Sequence, residues 1–251
     1  MLHRLYKRDG LCAPNEIGPV WVSAESEKIV ARELAGKKIV IVGATGVLGS
    51  HLAKLLSDAG AHVAAIVRDA TSLDSTTISQ HAIADLTDTA ALTAALTALA
   101  PFDGLINAAG VVAFGNVAEL DDATLTQLFA INSIAPIVML RESSKHINEG
   151  GFFANITAVV AQQPMAGMAA YSASKAAAWG AMVAATRELR RQQIDVIDVR
   201  PPHTETGLAN RPIAGVAPKL PTGLEPESVA ARIVTAIKEG ERDLPVESFS
   251  A

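Results

Sequence analysis

Lys38-Ile-Val-Ile-Val-Gly-Ala-Thr-Gly-Val-Leu-Gly49 decides how this chain folds. Its first five residues form a short apolar run rich in Ile and Val, the composition of a parallel strand buried on both faces. The run enters a turn holding Gly43, Thr45, Gly46, Val47, Leu48 and Gly49, then residues 50–59, where Leu52, Leu55 and Leu56 make an apolar helical stripe. Gly60 stops that helix, and residues 62–67 read as a second strand. Strand, glycine turn, helix and strand within about 30 residues is a phosphate-binding arrangement. Glycines let the backbone turn tightly and approach a pyrophosphate, which rests on the positive helix N-terminus.

The second strand ends at Val67-Arg68-Asp69. An acidic residue at the strand end binds the ribose 2′-hydroxyl of NAD. Val67 holds that place here and Arg68 follows, and an Arg pairs with the 2′-phosphate of NADP instead. Asp69, one residue later, keeps NAD open.

The pattern repeats along the chain. Residues 81–84 read as a third strand, followed by Asp85-Leu86-Thr87-Asp88, where Thr87 or Asp88 caps an Ala-rich helix reaching Leu99. Residues 102–106 form a fourth strand that runs into Asn107-Ala108-Ala109-Gly110. Residues 121–147 hold one long helix or two, with Asn132 inside, a polar group that needs a partner. Residues 151–156 are a fifth strand, 171–192 a helix and 194–199 a sixth strand stopped by Pro201-Pro202. Residues 227–238 are a last helix and 244–246 a final short strand. Strands alternating with helices predict an α/β doubly wound parallel sheet in a single domain over 37–251. Residues 1–36 stand apart as an N-terminal extension whose charges balance. An arm packed on the domain or on a second subunit, and a disordered leader, are both open.

Of 251 residues, 49% are hydrophobic and only 4% aromatic, enough for one large core built from Val, Ile, Leu and Ala. A net charge of -5 gives no reason to expect nucleic acid or an anionic membrane as partner. Cys12 stands alone, so no internal disulfide forms and a reducing compartment, the cytoplasm, fits. No window reaches the roughly 20 apolar residues of a membrane helix, and no metal site is expected.

Within the helix at 171–192, Tyr171-Ser-Ala-Ser-Lys175 places a phenol and an ammonium four residues apart, on one face. A phenol titrating near 10 is a poor acid–base group at neutral pH, and a neighbouring ammonium lowers that value. The pair is a proton donor and acceptor for a carbonyl or alcohol.

Together these motifs resemble the short-chain dehydrogenase/reductase family over about residues 36–245. The resemblance implies a Rossmann-type fold, with Tyr171 as the acid–base group. Lys175 would bind the nicotinamide ribose and depress the tyrosine, while Asn132 would hold a water in a proton relay. It also implies that Asn107, Ala108, Ala109 and Gly110 border the cofactor. Asp85, with Leu86 beside it, would contact the adenine, and Thr206, in the segment opened by Pro201, would meet the nicotinamide amide. The family pairs the long helices, here 121–147 and 171–192, into a homodimer or homotetramer. Three positions depart from the pattern. Val47 stands where members of this length carry Gly, and Pro202 replaces the Gly of a Pro-Gly pair. Ala158 occupies the place of the catalytic Ser, thirteen residues before Tyr171. That Ser donates to the substrate oxygen, a contribution on the order of 3 kcal/mol. Thr157 is the adjacent substitute, although a regular strand turns it to the opposite side. Gln162, Gln163 and His203 are further donors.

The leading expectation is an oxidoreductase moving a hydride between NADP(H) and a carbonyl or secondary alcohol of a small molecule. Residues 206–226, with Leu208, Pro212, Ile213 and Val216, make that substrate mainly apolar. The alternative, which Ala158 motivates, is a dinucleotide-binding sensor or partner protein with little turnover. An isomerase or dehydratase on the same fold is a third.

Overall fold

The computed structural model describes residues 31–250, so most of the expected N-terminal extension lies outside the described residues. In chain order the elements are β1 (Lys38–Val42), α1 (Val47–Asp58), β2 (His62–Val67), β3 (Ile78–Ile83), α2 (Thr89–Ala98), β4 (Phe102–Asn107), α3 (Asp122–Phe129), a π-helical segment (Ala130–Ile134), α4 (Ala135–Ser143), β5 (Ile147–Ile156), α5 (Ala169–Leu189), β6 (Asp195–Val199), α6 (Pro226–Glu239) and β7 (Asp243–Leu244). The strands form one sheet in the order β3-β2-β1-β4-β5-β6-β7, every neighbouring pair parallel.

Successive strand residues point to opposite faces, and both faces of this sheet are covered. Ile39 and Ile41 face α1 and α6, meeting Leu52, Leu56, Ile233 and Ile237. Val40 and Val42 face the other layer, with Leu96 of α2, Met139 of α4 and Met182 of α5. This is why β1 is apolar throughout. Each such leucine or isoleucine, removed from water, stabilises the fold by about 2 kcal/mol.

The sheet runs outward from β1 through β2 to β3, then resumes on the other side with β4. Between β1 and β4 the direction of winding reverses, and the loops at their C-terminal ends part to leave a crevice. The candidate site residues gather there.

Several boundaries differ from the sequence pattern. β3 starts at Ile78 rather than at 81, because Ser79, Gln80 and His81 lie exposed on the sheet's outer edge and carry no apolar signal. β5 begins at Ile147 for the same reason: Asn148, Glu149 and Gly150 are exposed. The stretch read as one helix or two is continuous and ends at Ser143, with the π-helical segment in its middle. Asp122–Ser143, 22 residues long, contains an 18-residue window of mean hydropathy 1.6, a length and apolarity that a core helix shares with a membrane span. Half of that window is buried against the rest of the protein. Before β1, Leu34 is 2% exposed within the core under α1 and α6. The Arg32 guanidinium pairs with Asp195 and lies 5.6 Å from the Phe152 ring centroid.

Candidate active site

Gly43 takes φ +85°, and a Cβ there would stand 2.9 Å from the Ala109 nitrogen. A Cβ on Gly49 would meet the Gly43 carbonyl oxygen at 2.2 Å. Both positions therefore need glycine, and the turn packs backbone to backbone against the one after β4. Gly46 caps α1 without a side chain, and the first helical turn holds no acidic residue. The N–H groups at this end, through Val47, Leu48 and Gly49, favour an anion.

Arg68 is exposed just past β2. Its charge acts on Asp85, whose carboxyl lies below the usual range chiefly because the Thr87 N–H and hydroxyl each donate to it at 2.8 Å. Arg68 and Asp85 thus share one end of the crevice. Asp69 accepts the Thr71 N–H. Asp88, not Thr87, caps α2, accepting the Ala90 and Ala91 N–H groups at 2.9 and 3.0 Å.

Asn107, 1% exposed, ends β4. Its amide donates to Asn155 Oδ1 at 2.8 Å and its Oδ1 accepts the Ala109 N–H, fixing the turn that carries Ala108 and Gly110. Asn132 sits in the π-helical segment, where the widened turn frees its side chain to leave the helix. Its Nδ2 donates to the Val111 carbonyl (2.8 Å) and to Ser174 Oγ (3.1 Å), and its Oδ1 accepts the Val111 N–H. A Cβ on Gly110 would lie 3.1 Å from Lys175 Nζ and 3.3 Å from Asn132 Oδ1, so these two polar atoms meet at that glycine.

Tyr171 and Lys175 lie one turn apart on α5, both buried. Lys175 Nζ donates to the Ile156 carbonyl at 3.2 Å. Burial pulls the ammonium down from 10.5 to about 8, opposed by the charge of Asp198. Burial also pushes the Tyr171 phenol up to about 12. The expectation of a lowered phenol is thus corrected. The ring packs in an apolar cluster with Val112, Phe114, Leu128, Val160 and Met168, and this desolvation is what raises it.

Thr157 is corrected as a donor to substrate. Its hydroxyl carries one proton, and its partners are Asp198 Oδ1 (3.0 Å), Asp198 Oδ2 (3.2 Å) and the Val199 carbonyl (3.1 Å), all on β6. Ala158 instead packs against the Tyr171 cluster. At this strand end the alternation of side chains holds, and the side that faces the tyrosine bears a methyl group. Pro201 accepts the Val159 N–H at 3.1 Å. Thr206 closes a local turn, its N–H bonded to Thr204 and its Oγ1 to the Leu208 N–H. Gln162 and Gln163 are exposed, and His203 Nε2 lies 3.5 Å from Glu205.

Beside Tyr171 opens a cavity of about 270 Å³ walled by Phe114, Met168, Ala170 and Ala214, with Glu119 and Asp121 as its charged residues. An adjoining cavity of about 370 Å³ continues to Val216 and Pro218. The two walls are tied by main chain: Ile213 N–H donates to Val112 at 2.8 Å, and Phe114 N–H to Ala214 at 3.0 Å. Three polar residues of this region carry no motif signal on their own. They are Asn155, Ser174, whose hydroxyl links Asn132 to the Tyr171 carbonyl, and Asp198. Charges inside the apolar strand Asp195–Val199 were the available sign of the last.

The short chain dehydrogenase family profile matches residues 37–214. A 2,3-dihydro-2,3-dihydroxybenzoate dehydrogenase of Bacillus subtilis (strain 168) is 32% identical over 192 residues, 71% of this chain and 74% of the relative. A cyclic-di-GMP-binding biofilm dispersal mediator protein of Escherichia coli (strain K12) is 31% identical over 185 residues, 71% of this chain and 78% of the relative. Among solved structures, a short chain dehydrogenase from Burkholderia cenocepacia J2315 in complex with NADP superposes with a TM-score of 0.75 at 25% identity. The superposition covers 86% of this chain and 98% of that one.

Proposed function

This chain belongs to the short chain dehydrogenase family, and on that premise we propose that it moves a hydride between NADP(H) and a carbonyl or secondary alcohol. The crevice fits a dinucleotide: Gly43 and Gly49 leave the space a side chain would fill, and the first turn of α1 contains no acidic residue. The turn from Gly43 through Thr45 to Gly49 would hold the pyrophosphate, and Arg68 the 2′-phosphate. Asp85 and Leu86 would border the adenine, and Asn107 to Gly110 the middle of the molecule. Lys175 would hold the nicotinamide ribose, with Pro201 and Thr206 near the carboxamide. The NADP complex of the Burkholderia relative supports this choice of cofactor.

Bound there, NADP(H) supplies or accepts the hydride. Tyr171 gives its phenolic proton to the substrate oxygen as a carbonyl becomes an alcohol, and takes it back in the reverse direction. A phenol held near 12 is loaded with its proton throughout the neutral range. Asn132, tied to Val111 and Ser174, holds its place beside Lys175 in the proton path. The apolar walls beside Tyr171 support a mainly apolar small substrate. The exposed Leu125, Ile134 and Ile137 on the α3–α4 face support a homodimer or homotetramer. The lone cysteine supports a reducing, cytoplasmic setting.

The observation that carries the proposal is the buried Tyr171–Lys175 pair meeting Asn132 and Gly110 at the mouth of the crevice. NADPH oxidation with a panel of apolar ketones tests it. Turnover is expected in the wild type and lost in Tyr171→Phe, with NADP affinity nearly unchanged; retention of most of kcat would remove Tyr171 from the role. One observation favours a second reading. The methyl of Ala158, where the family donor belongs, fits a dinucleotide-binding protein of low turnover, and the Escherichia coli relative is named for binding. NADP binding without turnover on any carbonyl would support it.

A further inference from the structure

β6 and the residue that follows it carry a buried carboxylate and a buried guanidinium that the hydride reaction does not use. Asp198 is 4% exposed and Arg200 1%. The carboxylate accepts from Arg200 Nη1 at 2.6 Å and from the Thr157 hydroxyl at 3.0 Å. Arg200 reaches on to Asp243 and lies with its Cζ 5.8 Å from the Trp179 ring centroid on α5. Strand register sets Asp198 beside Asn155 and Val199 beside Ile156. Lys175 Nζ rests on the Ile156 carbonyl, the residue before Thr157. The cluster therefore backs onto the lysine from below the crevice.

We infer that Asp198, held by Thr157 and Arg200, is a positioning residue that keeps the Lys175 ammonium charged. A buried ammonium tends to shed its proton, and a fixed negative charge nearby opposes that. Asp198 is the charge that raises Lys175 against its burial. The groups facing the ammonium are few. Tyr171 lies one turn back on α5, Asn132 and Gly110 are uncharged, and β6 supplies Asp198 with Arg200 behind it. Asp243 of β7 is 69% exposed at its side chain. Asp198 itself is pushed up to about 6, first by burial and against Arg200 and Thr157. It is consequently ionised across the range in which Lys175 titrates. The Thr157 hydroxyl, unavailable to substrate, serves this carboxylate.

The consequence for turnover rests on the assignment of Lys175 to the cofactor ribose; the titration itself does not. The test follows Lys175 Nζ by NMR in ¹⁵N-lysine-labelled, cofactor-free protein, with Lys175→Met identifying the resonance. The wild-type midpoint is expected near about 8. In Asp198→Asn it is expected about one pH unit or more lower, with the alkaline limb of NADP affinity moving the same way. Asp243→Asn, which removes an exposed and screened charge, is expected to leave both in place. An unchanged midpoint in folded Asp198→Asn overturns the inference. If that variant does not fold, Asp198→Asn with Arg200→Gln removes the pair whole; a smaller downward shift is expected, because the Arg200 cation that opposes protonation is lost with the carboxylate, and no downward shift overturns the inference. A shifted midpoint in a protein with no turnover on any carbonyl would leave the inference standing and remove the proposed activity.

Discussion

Replacing Lys175 with Met is expected to stabilise the cofactor-free protein at neutral pH while abolishing turnover. The folded state holds this ammonium at about 8 rather than 10.5. At 1.36 kcal/mol per pH unit, a charged Lys175 costs the fold about 3 kcal/mol at pH 7. The folded value is the depressed one, so the folded protein loses the proton between about 8 and 10.5 while the unfolded chain keeps it. Wild-type stability from this group is therefore lowest below pH 8, rises through that window and is complete above it. Met is unbranched and of similar length, so packing is retained. The Ile156 carbonyl loses its donor, at a cost of about 1 kcal/mol. The variant should be about 2 kcal/mol more stable than wild type at pH 7, and the order should reverse above pH 10.5. The Tyr171 phenol, raised from 10 to about 12 in the folded state, lowers stability above pH 10 alike in both proteins, so it cancels from the difference. Urea unfolding of both at a series of pH values reads the difference directly. A variant less stable at pH 7, or a gap that does not change with pH, would refute the reasoning.

Arg68→Ala is expected to weaken NADP by roughly ten- to a hundred-fold and NAD hardly at all, since the 2′-phosphate alone distinguishes them; fluorescence titration with both cofactors checks it. Ala158→Ser restores a hydroxyl on the side that faces the Tyr171 cluster, and kcat is expected to rise by up to about a hundred-fold. Thr157→Val, by contrast, should leave kcat within a few-fold at neutral pH, because its hydroxyl serves Asp198. Light scattering is expected to give a dimer or larger species at micromolar concentration, paired through the face bearing Leu125, Ile134 and Ile137; a monomer would count against it.

The β1–α1–β2 unit was legible because burial on both faces of a parallel sheet leaves an apolar run that no other element explains. The four-residue spacing of Tyr171 and Lys175 was legible for an equally local reason, helix geometry. What escaped depends on distant parts of the chain. β3 lies at the outer edge and shows solvent three polar residues, so its start left no apolar mark. The π-helical segment around Asn132 has no composition of its own; its width shows only when the side chain is seen reaching Val111. The direction of the Thr157 hydroxyl follows from β5 staying regular to its end and from Asp198 waiting on β6. The tyrosine's burial arises from Phe114, Leu128 and Met168, which come from three separate segments.

The main-chain ties between Val112–Phe114 and Ile213–Ala214 bear on how this pocket can evolve. They are made by N–H and carbonyl groups, which every residue except proline supplies alike, so the side chains around them are free to vary. Substitutions at Phe114, Ala214 or Val216 would reshape the chamber without loosening the frame that holds its walls together. Gly215 is different: at φ +74° with a Cβ that would fall 1.8 Å from the Phe114 oxygen, it cannot be exchanged. A mutational library over the pocket should therefore tolerate wide sampling at Phe114, Ala214 and Val216 while Gly215 and Tyr171 are kept, letting new substrate preferences arise by single steps.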